Sequence, residues 1–152
     1  TIFPILLILS GSSFVFGWAK PVPINYYRLK YGRLGEFLVA IAGVLSNILL
    51  AIIGMFLFKH FYEVLAPLHL LEPVLYMISL NILLAVFNIM PIPPLDGSRV
   101  LASIGSYDLR DSIFHMDRYG IFIIMILSWT GFLYKFIAPV YMAILSFLDK
   151  LI

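Results

Sequence analysis

Three long stretches without a charged side chain constrain this chain more than any other feature. No Asp, Glu, Lys or Arg occurs from Thr1 to Ala19, from Phe37 to Phe58 or from Pro73 to Leu95, runs of 19, 22 and 23 residues. A helix needs about 20 apolar residues to cross the ~30 Å hydrocarbon core of a bilayer. Each run is long enough, so each is read as a membrane crossing. Composition points the same way. The 152 residues are 62% hydrophobic and 12% charged, against about 45–50% apolar and about 25% charged in soluble domains. Folded in water, a chain of this size would leave too much apolar surface uncovered. A soluble globular domain is ruled out as the default, and so is disorder, which needs low hydrophobicity. Zero cysteines exclude a disulfide scaffold and any Cys-ligated metal. A net charge of +2, scattered along the chain, gives no footprint for nucleic acid.

The last apolar region differs from the first three. Tyr119 to Leu148 holds one charge, Lys135, and is interrupted by Thr130-Gly131 and Pro139. As one helix it would measure about 45 Å, long for one crossing and short for two. The expectation is a kinked, tilted helix or a shallow helical hairpin that bends near Gly131. The fold class is therefore all-α and polytopic: one membrane domain over 1–152, with about four spans near 1–18, 37–58, 73–91 and 119–148. No internal repeat is present. Lys20, Arg28, Lys30 and Arg33 precede the second span, and Arg99, Arg110 and Arg118 follow the third. The loop between those spans has only Lys59, beside Glu63 and Glu72. By the excess of basic residues on the cytoplasmic side, the first and third loops are cytoplasmic and the middle one external. The location that follows is a multi-pass protein of the cell membrane. Thr1 opens inside an apolar run with no basic flank and no cleavage site, so it is read as a retained span or the remainder of one.

Polar groups within apolar runs are candidates for function. Asn47 sits among Ala40, Gly43, Ser46, Ala51 and Gly54, spaced by threes and fours on one helix face. Such small faces let helices approach closely, and helix packing near a site is the expected role of Gly43 and Asn47. Asn81 and Asn88 are seven residues apart and share a face, with Asn81 read as helix glue. Then comes Asn88-Ile89-Met90-Pro91-Ile92-Pro93-Pro94-Leu95-Asp96-Gly97. Three prolines in four positions cannot continue a helix, so the chain should unwind from about Pro91. Irregular backbone at membrane depth must be buried in protein or line a cavity. Asp96 follows the break, with Gly97 supplying turn freedom. Locally, Asp96 is either a cap or ion partner of its own turn, through Arg99, or a metal ligand. Pro21-Val22-Pro23 cannot be helix interior and is either a re-entrant extended segment or an interfacial turn.

These segments together resemble the site-2 protease family of intramembrane zinc metalloproteases. Asn88, Pro91 and Leu95-Asp96-Gly97 resemble its Asn, Pro, Leu-Asp-Gly signature. Phe16-Gly17-Trp18-Ala19-Lys20-Pro21-Val22-Pro23-Ile24-Asn25 looks like the segment after the family's first core helices. Ala42-Gly43-Val44-Leu45-Ser46-Asn47 looks like its Ala-Gly-Pro-Leu-Ser-Asn stretch, with Val44 standing where the family often has Pro. The three blocks occur in family order. The resemblance implies a Zn2+ site inside the membrane, with Asp96 as a metal ligand and Asn88 as the catalytic amide that polarises the substrate carbonyl. Pro91 and Gly97 would pack beside the site. Pro21, Val22 and Pro23 would position a locally unwound transmembrane substrate by strand addition. The implied partners are transmembrane protein substrates and the lipid bilayer.

The family's remaining ligands and its general base come from His-Glu-x-x-His on a helix. Here the histidines are His60, His69 and His115, and no two are four apart. His60 and His69 fall in the external loop, and His115 has Asp111 at i−4 as an ion partner. The zinc site is thus incomplete in this chain, which is read as a carboxy-terminal portion of an intramembrane endopeptidase. The alternatives are a catalytically inactive homologue that binds membrane proteins, and a small transporter or channel subunit with Asn81, Asn88 and Asp96 along a polar path.

Overall fold

A computed structural model describes residues 30–152 of the chain. All regular structure among them is helical. The expected span near 1–18 and the Pro21-Val22-Pro23 segment lie outside the described residues.

Helix α1 runs Gly32–His60, 29 residues or about 43 Å. The uncharged run forms its middle. Nothing in the sequence stops the helix at either edge of that run, so it continues into Arg33 and Glu36 at one end and Lys59 and His60 at the other. Lys59 and His60 fall in the last turn, where positive groups suit the helix dipole. A short α2 (Tyr62–Leu65) and a turn through His69, at φ 54°, reverse the chain. Helix α3 (Leu71–Asn88) then returns along α1. Pro73 is tolerated because it sits in the first turn, where its missing N–H has no partner to lose.

Helix α3 ends at Asn88, not at the expected Pro91. The reason is the reach of a proline ring. It disfavours helical backbone at the preceding residue, here Met90, and would clash with the carbonyl four residues back, that of Phe87. The chain leaves the helix through short turns, Met90 N to Phe87 O at 3.2 Å and Ile92 N to Met90 O at 2.8 Å.

Helices α1 and α3 pack through Ala51, Gly54 and Met55 against Ile78, Ile82 and Val86. A Cβ on Gly54 would lie 2.8 Å from Ile78 and Met77 side-chain atoms. Lipid is as apolar as these side chains, so close van der Waals fit holds such helices together, and small residues permit it. Of the expected small stripe, Ala40, Ala51 and Gly54 are buried, while Ser46 is exposed and donates to Ala42 O of its own helix.

After the proline loop come α4 (Asp96–Ile104), α5 (Tyr107–Met116) and a 3-10 turn, Asp117–Tyr119. Ser106 caps α5 by accepting from Leu109 N at 3.2 Å. The expected 119–148 segment divides at Gly131, which has φ 73°, into α6 (Gly120–Trp129) and α7 (Phe132–Leu151). Ten-residue α6 is about 15 Å long, half the hydrocarbon thickness. Helix α7 packs on α1 and α3 through Leu148 and its neighbours. Leu133, at the start of α7, joins Met90 and Leu95 in a second cluster beneath the proline loop.

Among the described residues three helices are long and apolar enough to cross a membrane: α1, α3 and α7. Most of their surface faces outward, with Leu49, Tyr76 and Tyr134 among many exposed apolar side chains. That surface would be untenable in water and is ordinary in lipid. Arg33, at the start of α1, donates to Gly105 O at the end of α4 at 2.8 Å, so these two described segments meet at one end of the molecule. That placement agrees with both loops lying on one side of the membrane.

Candidate metal centre

Asp96 opens α4 directly after extended Leu95. The capping role foreseen for its carboxylate is not realised, while the charge of Arg99 acts on it without a direct ion pair. Leu95 holds the capping position and no side chain caps the helix. Arg99 gives its Nη2 donor to Asp117 instead. Asp96 is half-buried, and among the described residues its side chain has no hydrogen bond or ion pair. Its Oδ2 lies against α1 at Gly43, where an added Cβ would stand 3.1 Å away. Gly43 is thus a clearance for the carboxylate. Asn47 follows one turn along the same face, half-buried and with no hydrogen-bond partner among the described residues.

Of the two roles read for Gly97, turn freedom and packing, the structure shows the packing. Its backbone is ordinary helix, and positive φ occurs instead at Gly32 and Gly131 among the described glycines. What Gly97 supplies is closeness. A Cβ there would overlap the carbonyl group of Ile89 and the Met90 oxygen. The start of α4 therefore lies directly on the end of α3. Asn88 and Asp96, each one residue from that contact, are brought together by a seven-residue loop. Asn88 is half-buried, and its amide has no partner among the described residues. Pro91 is exposed on the loop, so its part is to end α3 rather than to pack. On the other side, Gly120 fits against Pro93 and Pro94, bracing the loop with the start of α6.

Asn81 is not the cross-helix glue expected. It is buried and donates to Met77 O of its own helix at 2.7 Å. His60 contacts Phe56 O at 3.2 Å and stacks on the Phe56 ring, at the opposite end of α1 from Arg33. His115 pairs with Asp111 at 3.2 Å, as its spacing suggested.

Sequence reading missed a layer of charge beside the site. Glu36 is fully buried and accepts from Arg110 Nε at 3.1 Å. The guanidinium groups of Arg99 and Arg110 lie 4.3 and 5.0 Å from the Phe114 ring centre. Arg33 lies 4.2 Å from that of Tyr107. A Glu at the edge of an uncharged run was the available signal for Glu36.

A metal ion fits what is present. A partly buried carboxylate without donors is costly unless a cation meets it, and carboxylate oxygen is a normal zinc ligand. Among the described residues no three His, Cys, Asp or Glu side chains gather to hold a metal. Asp96 by itself completes no metal site among the described residues.

Comparison with known proteins bears on the same segment. Residues 60–131 match the model of peptidase family M50. Over that stretch the chain is similar to the family. The match covers Asn88, Pro91, Asp96 and Gly97, while Gly43 and Asn47 precede it. The chain is also 38% identical over 132 residues to a Bacillus subtilis (strain 168) protein named "Putative zinc metalloprotease YwhC", an alignment covering 83% of this chain. It spans 58% of the length of that relative. No solved structure matches the chain.

Proposed function

We propose that these residues furnish part of the site of an intramembrane zinc endopeptidase, which cleaves transmembrane segments of other proteins in the cell membrane. The observation that carries this reading is the placement of Asp96 and Asn88 at the two ends of the proline loop, where Gly97 packs on Ile89 and Met90, with the Asp96 carboxylate making no hydrogen bond or ion pair among the described residues. The kinship with peptidase family M50 supports it.

Asp96 would hold Zn2+ through its carboxylate, with Gly43 leaving room on the α1 side. When bound there, the ion supplies Lewis acidity and activation of water at neutral pH. Asn88 donates an amide N–H to the substrate carbonyl oxygen as negative charge develops on it. Removing one such donor costs about 10²–10³ in rate. Gly97 fixes the spacing between the two groups. The proline loop keeps this backbone irregular, so an unwound substrate segment meets protein polar groups rather than lipid. Pro21, Val22 and Pro23 would align that segment as an added strand.

The test uses the protein expressed from its own gene in native membranes, with a transmembrane reporter substrate. Wild type should contain zinc and cleave. Asp96→Asn should lose both. Asn88→Ala should keep zinc and lose about 10²–10³ in rate. Wild-type zinc and cleavage in Asp96→Asn would overturn the assignment. The absence of a three-ligand group among the described residues favours a second reading, a catalytically inactive homologue that binds membrane proteins. A zinc-free wild type that retains transmembrane partners uncut would establish it.

A further inference from the structure

Two asparagines of the membrane helices stand in the same local setting, and their amides end differently. Asn81 of α3 donates to Met77 O, one turn back in its own helix, at 2.7 Å. Asn47 of α1 has the Gly43 carbonyl at the same spacing, yet its amide makes no hydrogen bond there or elsewhere among the described residues. Asn47 is half-buried and near the midpoint of α1. Water is absent at that depth in a bilayer. A polar side chain there faces protein, a cavity or a ligand rather than hydrocarbon.

Position narrows the choice. Gly43, one turn before Asn47 on the same face, is where Asp96 Oδ2 lies against α1. Helices α1 and α3 run antiparallel, and the contact of Gly54 with Ile78 sets their register. That register brings Gly43 level with Ile89, next to Asn88, and Asn47 level with Ala85. Asp96 and Asn88 thus share a level with Gly43, and Asn47 stands about 6 Å farther along α1, toward the membrane interior. A transmembrane segment unwound at the level of Asp96 and Asn88 exposes peptide N–H and C=O groups beside the cut bond, and in a membrane each must be met. An extended chain rises about 3.3 Å per residue, so 6 Å is about two residues. A carboxamide can donate to a peptide carbonyl and accept from a peptide N–H.

We propose that Asn47 is a substrate-binding residue: its amide bonds the main chain of the unwound segment about two residues from the cut bond, on the membrane-interior side. This rests on the endopeptidase reading above and adds to it a contact that holds the substrate whatever its side chains. Asn47 touches neither the metal nor the reacting atoms.

The measurement is cleavage kinetics of the protein expressed from its own gene, reconstituted in liposomes with a transmembrane reporter at varied density. Asn47→Leu, close in volume and without hydrogen-bonding groups, should raise KM about tenfold and hold kcat within about threefold, with zinc content unchanged. An amide that served only to join helices would lower stability and leave KM alone. Unchanged KM overturns the proposal, with or without a loss of stability, and so does a loss of zinc. If Asn47→Leu does not fold, Asn47→Cys decides, with zinc stripped by a chelator so that the reporter stays whole. It should form a disulfide with a reporter cysteine about two residues inside the cut bond and not with one as far outside it. Any other pattern overturns the proposal. A wild type that neither holds zinc nor cuts the reporter overturns the endopeptidase reading and this inference with it. Wild-type kinetics in Asn47→Leu overturns this inference alone.

Discussion

The two ends of the α1–α3 pair are built on different principles. At the end bearing Lys59 the helices meet through Ala51, Gly54, Met55, Ile78 and Ile82, with α7 laid on top through Leu148. The buried cluster there is apolar, and beside it Lys59 pairs with Asp149 at 3.0 Å. At the end bearing Asp96, Arg110 of α5 pairs with Glu36 at the start of α1, and Arg99 of α4 pairs with Asp117 of the 3-10 turn. Apolar packing in lipid rewards shape and tolerates sliding, because no water is expelled. A buried ion pair tolerates neither, since a charge moved off its partner faces a low-dielectric surround. The first end therefore joins helices. The second fixes the direction in which α4 presents Asp96.

Glu36 should show the contrast most strongly. Its side chain is wholly enclosed, and Arg110 Nε donates to it. Breaking such a pair by removing one member costs about 3–5 kcal/mol. Glu36→Ala should lower stability by that amount in denaturant unfolding from detergent micelles. A loss under about 1 kcal/mol, the range of exposed pairs, would mean that the two ends do not differ in kind.

One substitution applied at both ends sharpens the comparison. Gly97→Ala places a Cβ on the backbone of Ile89 and Met90, which cannot turn aside. Helix α4 must shift, and a displacement near 1 Å at a reacting centre costs about 10² in rate. Gly54→Ala meets only the Ile78 and Met77 side chains, which have other rotamers. It should cost about 1–3 kcal/mol as overpacking, with cleavage of the reporter unchanged. Equal activities in the two variants would remove the claim that Gly97 sets the site's spacing.

What was legible in the sequence follows this division. Features fixed by neighbours in the chain could be read: the breaks near Pro91 and at Gly131, the Asp111–His115 pair, and small residues at helical spacing along α1. The candidate site was proposed from the residues flanking the proline run. Features fixed across the fold could not be read in the same way. Glu36 and Arg110 are 74 residues apart and Arg99 and Asp117 are 18 apart, and no periodicity links either pair. Gly97 was read both as a turn and as packing beside the site, because close packing and backbone freedom call for the same residue. Asn81 was taken for glue between helices because its carbonyl partner, one turn back in its own helix, is present in any helix.

The smallest effect belongs to Lys59, and it tests the comparison from the other direction. Its ammonium reaches Asp149 at the end of α7, the two side chains being 31% and 64% exposed. Water and ions screen a pair so placed, and immobilising a long side chain offsets part of the attraction. Exposed pairs of this kind contribute about 0–1 kcal/mol. Lys59→Ala should therefore fall within that range, and the difference from wild type should fade as salt is raised in the micelle unfolding measurement. A salt-insensitive loss near that of Glu36→Ala would place a second buried electrostatic anchor at this end. Helix α7 would then be held by charge rather than by the fit of Leu148 against α1 and α3, and the division of labour between the two ends would fail.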